Sequence, residues 1–448
     1  MAGGISITTS CLLAALVFAS TGLTIEPDLA CPDFVTRYAP LVWLHSEDPF
    51  RPSDILTHIQ HTIPYFKHSP LEIEVPTLNL DNLELLNKVS KNVALTSKDD
   101  PLSEPKWMHG TTPDPKTGRL ADNATACAVV IVDYEKGVKG KDLDAFFFYF
   151  YSYDQGPNIT QVMEPLDQLI KGPKAESGMH FGNHVGDWEH NMVRFRDGKP
   201  VGIYYSQHET GIAYDWDDSV LTLERDERPI VYSARGSHAN FAYPGDRVHN
   251  KVLFDYCDAG YRWDPVLSAY FYHYSPSTHT FTTLSSPSSP HPPSHNYTSW
   301  LYFSGRWGDA QYPDSDPRQE KIPNLHIKRF VTGPTGPRFK QLVRKGLYPD
   351  NRNPESWQEW AVGVFMIFYP CCIKGWRKWM SLGALIAMLA GLVIGIVVLV
   401  RTLRRRMWRT GGQEGGDYSR IESAEVLLED WEGSEEAELS SSSDDDTE

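Results

Sequence analysis

Cysteine is scarce: six in 448 residues, Cys11, Cys31, Cys127, Cys257 and the adjacent pair Cys371-Cys372. That excludes a dense disulfide scaffold and leaves one or two bridges as the expectation in an oxidising compartment. Chemistry-bearing motifs are equally thin. There is no His-Glu-x-x-His, which excludes the helical zinc-hydrolase arrangement. There is also no nucleophile elbow and no Gly-rich phosphate loop. No basic face stands out, so the footprint of nucleic-acid binding is missing. The net charge is −16, but it is local. Residues 411–448 hold 14 acidic side chains against Arg420 alone, and the five arginines at 401–409 offset part of this. Residues 1–400 are left at −8. Helical signals are few; Asp81–Val89, with Leu83, Leu85 and Leu86, is the best. No internal repeat is apparent.

Three apolar runs are present; one, Ala361–Ile373, is interrupted by Pro370 and reads as lying against the membrane or closing the ectodomain rather than spanning a bilayer. Cys11–Ala19, followed by small residues, reads as a secretory signal peptide over 1–24, although no Lys or Arg precedes it. Ser381–Val400 carries no charge, and its 20 residues would span about 30 Å as a helix, the thickness of a bilayer core. Trp376 and Trp379 stand before it as interfacial anchors would. Arg401, Arg404, Arg405, Arg406 and Arg409 follow it, which predicts a cytoplasmic C-terminus. The expected organisation is type I and single-pass. A luminal domain covers 25–360, a juxtamembrane segment 361–380, the transmembrane helix 381–400 and an acidic cytosolic tail 401–448. Three sequons, at Asn123, Asn158 and Asn296, agree with a luminal domain, and none falls in the tail.

The luminal part reads as mainly β. Aromatic and β-branched runs at 128–134, 145–153, 190–195, 201–206, 230–234 and 252–256 alternate with Gly, Pro and Asp clusters. The pattern predicts an antiparallel β-sandwich or jelly roll. Ala145–Tyr153 is apolar on both faces and should be a central strand. Ser97–Leu120 reads as a surface loop. Ser275–Ser299, rich in Ser, Thr, Pro and His, is expected to stay without ordered structure.

Most of the chemistry gathers in His180-Phe-Gly-Asn-His184-Val-Gly-Asp187-Trp-Glu189-His190. In a strand, Asp187 and Glu189 share one face while Trp188 and His190 take the other. Two carboxylates on one face repel unless a cation or proton neutralises them. Their hard oxygens suit Mg²⁺ or Ca²⁺ before Zn²⁺, and a zinc reading through His180 and His184 is the weaker one. The plain alternative is a hydrogen-bonded polar strand end.

The pattern His184-x-x-Asp187-Trp188-Glu189 resembles the signature of the necrosis- and ethylene-inducing peptide-like proteins. In that family the His, Asp and Glu bind a divalent cation with an upstream Asp after an aromatic strand, here Asp154 in Tyr151-Ser-Tyr-Asp154-Gln. The resemblance places Ser237 and His238 near the metal, and His180 and His190 in the surrounding cleft. A broader resemblance, to the fungal vacuolar protein sorting-associated protein 62 family, rests on five blocks in order. They are Tyr38–Asp54, His180–His190, Ala234–Asn240, Asp255–Gly260 with Trp263-Asp-Pro265, and Gly305-Arg-Trp-Gly-Asp309. It implies a role in vacuolar delivery, in the vacuole or the Golgi and endosomes, with the cell surface as the alternative; no reaction is attached to it. Read plainly, Tyr38–Asp54 is a packed edge and Asp309 caps a turn.

Three functions follow as expectations. The first is a membrane-anchored, cation-containing luminal protein of vacuolar trafficking. The second is a glycan- or glycolipid-binding module. The third is a metal-dependent hydrolase, for which no catalytic residue is assigned. In the tail, Tyr418-Ser-Arg-Ile421 resembles a sorting signal read by adaptor proteins, and Ser440–Ser443 before three aspartates resembles an acidic-cluster phosphosite.

Overall fold

The aromatic runs at 128–133, 145–153 and 190–195 become strands that bury both of their faces. The computed structural model describes residues 29–71, 77–133, 142–158, 180–208, 210–250, 253–289, 297–322, 327–350, 357 and 376–410. The signal segment, Asn296, the apolar run 361–373 with Cys371-Cys372, Tyr418, Ile421 and most of the tail lie outside them. Among the described residues the strands are, in order, β1 (Leu41–Leu44), β2 (Thr62–Phe66), β3 (Ser69–Pro70), β4 (Ala94–Ser97), β5 (Cys127–Asp133), β6 (Leu143–Asp154) and β7 (His184–Arg196). They continue with β8 (Lys199–Gln207), β9 (Thr210–Asp215), β10 (Leu223–Glu224), β11 (Arg228–Ser233), β12 (Asn240–Phe241), β13 (Gly245–Asn250) and β14 (Leu253–Cys257). The last are β15 (Tyr261–Trp263), β16 (Ala269–Ser275), β17 (Thr280–Thr283), β18 (Lys321–Ile322) and β19 (Ile327–Lys328).

The largest sheet runs β17-β16-β5-β6-β7-β8-β9, and a second runs β10-β11-β1-β15 with β12 on β11. β6 is central and buried along its whole length. Phe147, Tyr149 and Tyr151 face a core shared with Val42, Leu44, Val231 and Trp263 of the second sheet. Phe146, Phe148 and Phe150 face the opposite core, with Trp188, Trp300 and Trp307. Each such side chain, once fully buried, contributes about 1.5–3 kcal/mol.

The fold departs from the sequence expectation at four places. β16 pairs with β5 in parallel, as β1 does with β11, so both large sheets are mixed rather than wholly antiparallel. Alternation of apolar residues reports burial, not strand direction, so it could not separate the two. Asp81–Val89 yields a 3₁₀ helix, Leu83–Lys88, whose buried Leu83 and Leu86 repeat every three residues. Residues 280–283, inside the stretch expected to lack order, form β17. Phe281 is the cause: it is buried against Tyr274 and Tyr302, and its amide donates to the Tyr302 hydroxyl. Finally, Cys31, Cys127 and Cys257 are buried free thiols, and no disulfide occurs among the described residues. Cys127 lies inside the β5 core, and burial pushes Cys31 up to about 12, so these sulfurs pack as small apolar groups.

The C-terminal unit, from Ile373 on, is separate. It holds a helix at Trp376–Thr410 whose Ile386–Arg405 stretch is long and apolar enough to cross a membrane.

Candidate metal centre

β6 and β7 set the geometry. Their antiparallel register places Asp154 opposite His184, Tyr151 opposite Asp187 and Tyr149 opposite Glu189. In an unbroken strand His184 and Asp187, three apart, would point to opposite faces. Gly186 removes that constraint. Its φ of +69° is a left-handed conformation that only glycine adopts freely, and it turns the chain between the two residues. As a result, ligand atoms of Asp154, His184 and Asp187 lie within 4.8 Å of one another. That span equals the distance across a Ca²⁺ ion with bonds of roughly 2.4 Å.

The histidine is prepared for such a role. His184 Nδ1 donates to the Gly186 carbonyl at 2.7 Å, which leaves Nε2 bare and 3.7 Å from an Asp154 oxygen. Burial lowers its pKa, keeping the ring neutral and able to coordinate. His238 supports Asp187 from behind. Its Nδ1 lies 3.0 Å from an Asp187 oxygen, its Nε2 lies 3.7 Å from Asp48, and its ring stacks on Tyr151 at 3.7 Å.

Charge is concentrated here. Burial pushes Asp154 well above the usual carboxylate range, and repulsion from Asp187, Glu189, Asp255 and Asp48 pushes it further. Burial, then Asp187, pushes Glu189 to about 7. Burial also raises Asp187, but the His238 hydrogen bond and charge, with His184, outweigh it and hold that carboxyl low. His238 shows the mirror image: burial lowers it, and its bond to Asp187 with the charge of Asp48 carries it above the ordinary value. The donor set, two carboxylates and one imidazole within a wider ring of acids, suits a hard divalent cation.

The other expected site residues fall in different places. Glu189 shares the Asp187 face but stands outside the three-residue group, because residues two apart on a strand are separated by about 7 Å. It takes the Ser206 hydroxyl as its partner. Ser237 donates to Asp255 at 2.6 Å, and His208 meets the same carboxylate at 2.8 Å. His180 Nδ1 donates to the Gly156 carbonyl, outside the group. His190 points to the opposite face, between Phe148, Tyr204 and Arg344, so it is a core residue rather than part of the cleft. Asn123 is exposed and Asn158 half-buried. Asp48 belongs to the centre although Tyr38–Asp54 was expected to be a packed edge. Its oxygens accept from the Phe50 and Gly236 amides, which aims the carboxylate at His238. That block also carries His45, Glu47, Arg51 and Asp54, so Asp48 gave no signal of its own. Nor did His208.

The family model described as vacuolar protein sorting-associated protein 62 matches residues 175–341. That span holds His184, Asp187 and His238 but neither Asp154 nor Asp48. Two proteins of Saccharomyces cerevisiae are similar over most of the chain. The "Putative vacuolar protein sorting-associated protein TDA6" is 34% identical over 366 residues, 74% of this chain and 71% of that protein. "Vacuolar protein sorting-associated protein 62" is 31% identical over 344 residues, 70% and 67% of the two chains. Among solved structures, Necrosis and Ethylene inducing Protein 2, from the causal agent of cocoa's Witches Broom disease, is 12% identical. It covers 48% of this chain and 70% of its own, with a TM-score of 0.23, too low to bear on the fold.

Proposed function

This chain belongs to the vacuolar protein sorting-associated protein 62 family, and from that premise we propose that it is a membrane-anchored luminal protein of vacuolar protein sorting, with a β-sandwich domain closed around one divalent cation. The names of its two yeast relatives support the sorting role. The sandwich reading rests on the core shared by the two large sheets. The cation reading rests on one observation: Asp154, His184 and Asp187 converge within 4.8 Å inside a ring of further acids. A cation there would join β6 to the turn at Gly186 and neutralise charge that otherwise opposes folding. Mg²⁺ and Ca²⁺ precede Zn²⁺. Elemental analysis of the purified full chain tests this. About one equivalent of Mg²⁺ or Ca²⁺, lost on dialysis against EDTA, is expected; a chain with no bound metal sinks the reading.

The helix at Trp376–Thr410 would anchor the chain. The arginines from Arg401 to Arg409 support a cytosolic C-terminal side, where Tyr418 and Ile421 would meet adaptor proteins. Asn123, Asn158 and Asn296 would then be luminal and glycosylated. Protease added to sealed membranes should trim the tail and spare the rest. Digestion of the luminal domain with survival of the tail would reverse the orientation.

A further inference from the structure

The sequon Asn123-Ala-Thr125 sits on a turn that the rest of the domain holds still. Asp122 and Asn123 are consecutive left-handed residues, with φ of +56° and +54°. Aspartate and asparagine tolerate that conformation better than most side chains. The Ala124 amide closes the turn on the Ala121 carbonyl at 3.0 Å, and the Thr125 amide donates to an Asp54 oxygen at 2.9 Å. Asn123 itself is exposed, so a glycan attached there leaves from a fixed point. Thr125 is fully buried, and the sequon is read through its Thr as well as its Asn, so the sugar must be attached before this turn folds.

That point lies at the mouth of a cleft of about 570 Å³, whose lining includes Asp122 and Ala124, the two residues flanking Asn123. One wall is aromatic: His61 and Trp107, both half-buried, stack with ring centroids 5.0 Å apart. The indole nitrogen is taken by Asp99 at 2.7 Å, so Trp107 offers the cleft only its apolar part. Asp54 is also engaged, one oxygen by the Thr57 amide and hydroxyl and the other by Thr125. Lys106 and Asp122 line the same cleft and are exposed, and among the described residues neither side chain has a hydrogen bond or ion pair. They supply one donor and one acceptor. Their charges cancel, which disfavours a strongly charged ligand. An apolar wall with a few polar groups suits a neutral sugar, which has an apolar ring face and hydroxyl and acetamido edges.

We propose that this cleft seats the chain's own glycan at Asn123, with the first N-acetylglucosamine units against His61 and Trp107 and their polar groups on Lys106 and Asp122. The seat rests on the luminal reading above, since glycans are added on that side. Tethering makes a weak contact sufficient. A short linker gives an effective concentration of the order of 1 mM, so a contact with a Kd of about 0.1 mM for the free sugar is filled about 90% of the time. The test is digestion of the native full chain, purified from yeast, with endoglycosidase H, the sugar left at each sequon being followed by mass spectrometry. The double variant Lys106→Ala, Asp122→Gly removes both polar contacts and keeps the sequon and the left-handed turn. Losing them should weaken the seat roughly tenfold, so release at Asn123 should be about fivefold faster than in the wild type. Trp107→Ala should also speed release, and the double variant, made at two exposed side chains, decides the matter if Trp107→Ala misfolds. Release at Asn158 and Asn296 should not change, which excludes a general loosening of the chain. Equal release at Asn123 from the wild type and the double variant overturns the seat and leaves the luminal reading intact. An unmodified Asn123 overturns it too; if Asn158 and Asn296 are also unmodified, the luminal reading falls with it.

Discussion

Asp154→Asn is expected to raise the melting temperature of the cation-free protein, and to abolish the further rise that millimolar Mg²⁺ or Ca²⁺ produces in the wild type. Asp154 is a buried carboxyl whose folded pKa is raised by burial and then by Asp187, Glu189, Asp255 and Asp48. With the folded value above the unfolded one, the native state binds more protons between the two. Stability therefore falls as pH rises through that window. At neutral pH the charged form opposes folding, and the amide removes the charge with little change of shape. A gain of about 1–2 kcal/mol, or about 2–8 °C, is the expected scale. Cation binding works the other way in the wild type. Ligand at a hundredfold excess over its Kd adds about 2.7 kcal/mol, and a variant without that ligand group loses the gain. The cation-free wild type should also gain stability as pH falls through about 7, where Glu189 is half-protonated, towards the ordinary carboxylate range. Asp187→Asn should behave oppositely. The Asp187 pKa is held low by His238, so its contribution is present above the unfolded pKa and lost as pH falls through the folded one. Replacing it at neutral pH takes the Asp187 charge away from buried His238 and lowers stability with or without metal. Melting curves in EDTA and in each cation decide the matter. A wild type indifferent to both, or an Asp154→Asn chain less stable in EDTA, would defeat the argument.

What the sequence disclosed depended on distance along the chain. β6 was legible because Ala145–Tyr153 has no polar face to offer solvent. The pairing of Asp187 with Glu189 on one face followed from period two alone. Period two also misled, since it assigned Glu189 to the ligand group and gave His184 no way to reach Asp187's face. The left-handed turn at Gly186 supplies that way, and a lone glycine in a strand does not announce its φ. Asp48 was illegible for another reason. It reaches the centre through Gly236 and His238, 188 and 190 positions away, and no local pattern encodes such a contact.

Gly186→Ala should be strongly destabilising and should also remove the response to cations. A Cβ built at Gly186 would sit 2.0 Å from the Trp307 carbonyl oxygen and 2.9 Å from its carbon. That carbonyl cannot retreat. It accepts from His58 Nε2 at 2.9 Å, and the Trp307 amide donates to Pro334 at 2.8 Å. Burial lowers His58 to about 4, so its neutral ring keeps one donor for the carbonyl and one acceptor for Ser152. The Trp307 ring is fully buried against Phe150, Trp188 and Trp300. Relief must therefore come from β7 itself, by moving away or by returning Gly186 to an extended φ. An extended φ would send His184 and Asp187 to opposite faces and dismantle the three-residue group. Left-handed strain alone costs alanine about 1 kcal/mol, and the backbone collision should bring the total to about 4 kcal/mol or more. Gly182→Ala is the matched control, because Gly182 has a φ of +90° but its Cβ would meet nothing within 4 Å. It should lose only the strain, about 1 kcal/mol, and keep its cation-dependent melting shift. Urea denaturation of both variants, with EDTA and with Ca²⁺, separates collision from strain. If Gly186→Ala unfolds at the same urea concentration as Gly182→Ala and still responds to Ca²⁺, the turn at Gly186 does not assemble the site.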